Sequence, residues 1–161
     1  MNRHSGDGIE TTDVRRVDNR EKTMKCSEVM KHQVTVAHAK DSLRAAAERM
    51  AHHHVSFLPV INDERVVVGV ITDHDLVERG MAHGLDAFHT PVTEVTTTTV
   101  LSCTADDDTS VAEQKMKEHH RSRVVVVDAE NKLAGLLTLS DLAAKKGEAE
   151  GSQLLKDVKG A

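Results

Sequence analysis

Two seven-residue stretches carry the chemistry this sequence offers: Gly69-Val70-Ile71-Thr72-Asp73-His74-Asp75 and Gly135-Leu136-Leu137-Thr138-Leu139-Ser140-Asp141. Each sets a hydroxyl and a carboxylate three residues apart, behind a glycine and an apolar pair. Such a stretch reads as a buried strand running into the start of a helix. The glycine allows close backbone approach. The threonine offers one donor and two acceptors. The aspartate, one helical turn on, offers two acceptor oxygens. A carboxylate facing a cleft suits a vicinal diol such as the two ribose hydroxyls, as in dinucleotide-binding folds. Backbone N–H groups at a helix start help to hold an anion. The implied ligand has a sugar and a phosphate. The simpler alternative is that Thr72 with Asp75, and Thr138 with Asp141, only cap their helices.

The elements that must position these residues follow from pattern. Val34-Thr35-Val36 alternates as a short strand. Asp41 or Ser42 caps a helix whose apolar stripe is Leu43, Ala46, Ala47 and Met50. Phe57 to Ile61 reads as a buried strand, and Pro59 implies that one side of it is an edge. Asn62 to Arg65 makes a hairpin turn into a second strand, Val66 to Thr72. A helix is expected from Asp73 to about Ala82. From Pro91 the pattern restarts at a constant offset of 66, with sixteen of fifty-six aligned positions identical and no gap. A repeat of this size buries too little core to stand alone, so the two copies should pack together about a pseudo-two-fold axis.

The fold class expected is therefore α+β, a sandwich-like pair of tandem β-α-β-β-α repeats. Residues 1–22 read as a disordered, charged tail and 23–84 as the first repeat. Residues 85–90 read as a linker and 91–146 as the second repeat. Residues 147–161 read as a polar tail with room for one short helix around Leu154 and Leu155.

Composition narrows the function classes. The chain has 161 residues, a net charge of −5 and two cysteines. That charge gives no electrostatic reason to bind nucleic acid. No apolar run reaches membrane-spanning length, so no membrane partner is expected. The N-terminus lacks the apolar core of a secretory signal, which makes the cytoplasm the expected compartment. Cys26 and Cys103 fit no zinc spacing and read as free thiols packed as small apolar groups. Phe57 and Phe88 are the only aromatics, so a ligand ring must sit between aliphatic side chains and backbone. His52-His53-His54 and His119-His120 fall at the ends of equivalent helices. A helix-dipole role, contact with ligand phosphate and metal binding all remain open for them. Asp106-Asp107-Asp108 reads as a helix cap. No spacing suggests a catalytic constellation, so no enzyme activity is expected.

The motifs resemble the CBS domain, named after cystathionine β-synthase, present as a tandem pair or Bateman module. The residues that carry the resemblance are Phe57-Leu58-Pro59-Val60-Ile61 and GVITDHDL in the first copy. In the second they are Arg123-Val124-Val125-Val126-Val127-Asp128 and GLLTLSDL. The resemblance implies a stand-alone regulatory module that binds an adenosine compound (AMP, ADP, ATP or S-adenosylmethionine) between the repeats, needs no other cofactor and dimerises with itself. Thr72, Asp75, Thr138 and Asp141 take the family's phosphate and ribose positions. The adenine pocket falls near Val36 and Ala37 with Pro59, and near Ser102 and Cys103 with Val125. The second copy also resembles the gamma subunit of AMP-activated protein kinase, where a basic residue before the strand meets phosphate. Arg123 stands there, and Phe57 replaces it in the first copy. The GLLTLSD copy is thus expected to be the better-equipped site. The alternatives are a ligand-free structural or oligomerisation module, and a metal or redox sensor built on the histidines and Cys103.

Overall fold

A computed structural model describes residues 24–159. The tail expected at 1–22 lies outside the described residues. Each repeat contributes a three-stranded sheet. The first has β1 (Ala37–His38), α1 (Leu43–His53), β2 (Phe57–Ile61), β3 (Val67–Thr72) and α2 (Asp73–Asp75), which runs on as a π-helix, Leu76–Met81. The second has β4 (Ser102–Thr104), α3 (Thr109–His119), β5 (Arg123–Val127), β6 (Leu133–Thr138) and α4 (Leu139–Lys146). In both sheets the middle strand pairs parallel with the short first strand and antiparallel with its hairpin partner.

Local chemistry sets the element ends. Ser42 caps α1 by accepting from the Ala45 N–H, and Asp108 caps α3 by accepting from the Ser110 N–H. His54 and His120 end the two helices in the left-handed region, at φ of 52° and 50°. Each N–H there, and that of the following residue, returns to helix carbonyls, which satisfies carbonyls left over at a helix end.

The first strand starts later than Val34-Thr35-Val36, at Ala37, and Pro59 supplies the reason. In the second repeat the Val125 N–H donates to the Leu101 carbonyl at 2.9 Å, and the ladder then runs from Ser102. Pro59 stands at the equivalent place with no N–H. Pairing there begins one residue later, at Ala37 with Val60. β2 is therefore a central strand, and its proline sits beside the short end of β1 rather than on an outer edge.

The repeats interlock about a pseudo-two-fold axis. The Val67 N–H donates to the Asn131 carbonyl at 3.0 Å, and the Leu133 N–H to the Arg65 carbonyl at 3.1 Å. Val66 bridges Lys132, its own counterpart sixty-six residues on. Ile61, Val67, Val125, Val127 and Leu133 fill the apolar layer between the sheets.

The lead-in segments cross over. The 3-10 turn Cys26–Glu28 packs in the core of the second repeat, and Val92–Glu94 packs in the core of the first. Lys31 pairs with Leu136, and Thr97 pairs with Val70. The motif glycines permit this. A Cβ on Gly69 would lie 2.2 Å from Thr96 Cγ2, and one on Gly135 would lie 2.6 Å from the Met30 sulfur. Close approach at these glycines therefore serves the chain's own arms.

Residues 148–159 are more than a polar tail. Glu148–Lys159 forms a twelve-residue helix, α5, with Gly151, Leu154 and Val158 buried. Leu154 and Val158 join the second repeat's core.

Candidate functional site

Two clefts open between the repeats, related by the same axis. The larger, about 540 Å³, joins the first copy's motif to the second copy's strand. Thr72 and Asp75 stand on one wall, and Leu101, Arg123 and Val125 on the other. The smaller, about 240 Å³, is lined by Thr138 with Lys31, Val34, Thr35, Phe57 and Arg123. Arg123, at the start of β5, thus shares the larger cleft with Thr72 and Asp75. The GVITDHD residues Thr72 and Asp75 line the larger cleft, and Arg123 lines both clefts.

Thr72 and Asp75 are held by each other. The Thr72 N–H and hydroxyl donate to Asp75 Oδ2 at 2.8 and 2.7 Å, and the Asp75 N–H donates to Thr72 Oγ1 at 3.1 Å. This reciprocal cap satisfies the helix start. It also fixes the side chain of Asp75, a residue only 8% exposed, through Oδ2. Arg79 Nε lies 3.6 Å from Asp75 Oδ1. The cap uses Oδ2 and leaves Oδ1 without a hydrogen bond from the motif itself. Thr138 and Asp141 repeat the hydroxyl–carboxylate bond. There Lys31 Nζ, on the crossing arm, lies 3.6 Å from Asp141 Oδ1.

The basic side chains of the larger cleft differ in how far they are committed. Arg79 donates to the Val95 carbonyl and to Thr97 Oγ1, each at 3.2 Å. His74 pairs with Glu78 at 3.0 Å. Arg121 and Arg123 line the cleft with no ion pair to a carboxylate of the described residues. The Arg123 guanidinium sits 5.5 Å from the centre of the Phe57 ring, its pseudo-symmetric counterpart, and both line both clefts. A guanidinium so placed suits a phosphate.

Not every residue singled out in the sequence reaches a cleft wall. Ala37 is fully buried in the first repeat's core, and Cys103, 4% exposed, is buried in the second's. Val36 packs in the apolar layer between the sheets. Pro59 is buried within β2, and the Ser102 carbonyl accepts from Lys115. None of these five lines either cleft, whereas Val125 does. Just ahead of β1 and β4, the residues that do line the clefts include Thr35 and Leu101. Sequence reasoning missed Arg79, Thr97, Thr99 and Arg121. Arg79 was legible as the residue one helical turn past Asp75. The threonines come from the crossing arm, which has no local sequence signal. His120 lines the larger cleft and His54 the smaller, while no group of three or more potential metal ligands gathers among the described residues.

A pair of interlocked β-α-β-β-α repeats with pseudo-symmetric clefts defines a tandem ligand-cleft module. Residues 26–82 and 92–147 each match the CBS domain, and the chain belongs to that family. It is similar to the CBS domain-containing protein YhcV of Bacillus subtilis, 34% identical over 129 residues, 79% of this chain and 90% of that one. It is also similar to hypoxic response protein 1 of Mycobacterium tuberculosis, 30% identical over 131 residues, 81% and 91% of the two chains. A crystal structure of Hypoxic Response Protein I with two coordinated zinc ions superposes with a TM-score of 0.69 at 29% identity, over 75% of this chain and 98% of that one. CBSX2 in complex with AMP superposes with a TM-score of 0.66 at 25% identity, over 76% and 95%.

Proposed function

We propose that this protein is a regulatory module that binds an adenosine nucleotide in the larger cleft and signals its presence to a partner protein. The observation that carries this is the meeting of Thr72, Asp75 and Arg123 across one cavity. Asp75 Oδ1 would accept from ribose hydroxyls, Thr72 and Arg123 would meet phosphate, and the base would lie between Leu101, Val125 and Val70. The likeness to CBSX2, whose structure holds AMP, supports the same class of ligand. The smaller cleft is the weaker site, because it shares its one arginine with its neighbour. A ligand bridging the two repeats favours one packing of the interface over another, and differential affinity of that kind is what couples binding to a partner. A second copy of the chain is the natural cover for Val77, Met81 and Phe88, which are 56%, 75% and 61% exposed. The cytoplasm is the compartment in which such a sensor would meet its nucleotide.

The chain has no Trp or Tyr, so a nucleotide carried through purification dominates its ultraviolet absorbance. The purified protein should show a 260 nm band that denaturation releases. Stripped protein should gain thermal stability with at least one of AMP, ADP, ATP and S-adenosylmethionine. Neither a band nor a thermal shift with any of the four contradicts the proposal and returns the ligand-free module as the better account. Elemental analysis of untagged protein tests the metal-sensor alternative.

A further inference from the structure

Cys26 and Cys103 are seventy-seven residues apart in the chain, yet their sulfurs touch at 3.7 Å in the second repeat's core. The contact is directional. The Cys103 thiol donates to Cys26 Sγ, and the Cys26 thiol donates in turn to the Asp108 carbonyl, also at 3.7 Å. The two sulfurs come from different parts of the fold. Cys103 is the middle residue of β4. Cys26 opens the turn that crosses from the start of the chain, where its N–H donates to the Asp107 carbonyl at 2.8 Å and that of Ser27 to the Ala105 carbonyl at 2.9 Å. Both thiols are free in the structure.

We infer that Cys26 and Cys103 are a dithiol that a hydroperoxide oxidises to an intramolecular disulfide, stapling the crossing arm to the second repeat. Both sulfurs are buried, so a peroxide reaches them only when the arm lifts, a local opening that breaks the two backbone bonds and the Lys25–Asp106 ion pair at 2.9 Å. The hydrogen bond from Cys103 holds the Cys26 thiol below its ordinary pKa, while that bond and burial push Cys103 up. Cys26 lies on the arm whose opening admits the peroxide, so it is the thiol placed to attack first, as the thiolate. Its sulfur attacks one peroxide oxygen. An S–O bond forms, the O–O bond breaks, and the leaving oxygen takes a proton to become water or an alcohol. The Cys103 sulfur then attacks the Cys26 sulfenic acid. The S–S bond forms, the S–O bond breaks, and the departing hydroxide leaves as water with the Cys103 proton. Two thiols lose two hydrogens in all, and one peroxide is reduced. The arm continues to Lys31 at the rim of the smaller cleft, so oxidation fixes that rim without touching the larger cleft's ligand groups.

The test uses the full chain treated with hydrogen peroxide, alkylated, and digested with trypsin without reductant. Peptide 26–31 should appear linked to peptide 80–115 within one chain, two hydrogens lighter than the sum. Both alkylatable thiols should be lost together, and dithiothreitol should restore them. A loop this long, once cross-linked, should raise the melting temperature by roughly 10 °C. In Cys103→Ala the linked peptide and the melting shift should both vanish. Two alkylated cysteines after peroxide, sulfinic acid at Cys26 without a link, or a bond only between chains would each overturn the inference. The readout is independent of nucleotide, so it stands or falls apart from the proposed ligand.

Discussion

Gly69→Ala is the sharpest test of the interlocked fold. Gly69 has no positive φ, so alanine adds no backbone strain and, by restricting the unfolded chain, favours folding by about 0.4–1 kcal/mol. Its Cβ, however, would lie 2.2 Å from Thr96 Cγ2 and 2.8 Å from the Thr97 carbonyl oxygen. The arm must retreat by about an ångström to restore van der Waals contact. That retreat breaks both bonds between Val70 and Thr97, each 2.9 Å long, at about 1 kcal/mol apiece. It also loosens Val92 and Val95, 0% and 1% exposed, by about a methylene's burial each, or ~0.8 kcal/mol. The net loss is about 3 kcal/mol, a melting point lower by roughly 6–12 °C for a chain of this size. Thermal and urea denaturation of the paired proteins reads it. Adding Thr96→Ser removes Cγ2 and should recover only part, because the carbonyl contact stays. A melting point unchanged by Gly69→Ala would refute the reasoning that this glycine exists to admit the arm.

Two further predictions concern helices. Gly151→Val places a Cβ 2.5 Å from the Ala143 carbonyl, lifting α5 and uncovering Leu154 and Val158, about 3 kcal/mol or more of burial. Limited proteolysis should then cut within 148–159 while the rest of the chain resists. Asp108→Ala removes the α3 cap and should cost about 1 kcal/mol at neutral pH. The Ser110 hydroxyl and N–H hold the Asp108 carboxyl below its usual pKa. Its contribution is therefore full above the ordinary carboxylate range and lost as pH falls through the lower, folded-state value. Denaturation of the two proteins from neutral pH down to that range should show the gap closing.

The parts legible in the sequence were those set by neighbours in the chain. Ser42 and Asp108 cap helices because their side chains reach a backbone N–H two or three residues on. The hairpins follow from apolar runs around Asn62 and Asp128, and the repeat follows from identity at a fixed offset. Residues that meet only through the crossing were not legible. No local pattern says that Cys26 packs beside Cys103, or that Thr97 and Arg123 join Thr72 and Asp75. The first strand was misplaced because Val34-Thr35-Val36 has strand propensity but Pro59 withholds the bond that would register it. The extent of α5 was obscured by its polar face, since a buried stripe of Gly151, Leu154 and Val158 shows only weakly in sequence.

Calorimetric titration of the wild type, Asp75→Asn and Asp141→Asn with AMP, ADP, ATP and S-adenosylmethionine tests the central claim most directly. Asparagine keeps an oxygen for the Thr72 or Thr138 cap and removes the charge that a ribose diol would meet. A hydrogen bond to a charged acceptor is worth about 1.5–3 kcal/mol. The account predicts that the best ligand binds Asp75→Asn roughly 10-fold to 100-fold more weakly, while Asp141→Asn leaves that affinity nearly unchanged. No binding of any of the four ligands to the wild type would contradict it. So would a loss confined to Asp141→Asn, which would put the nucleotide in the smaller cleft.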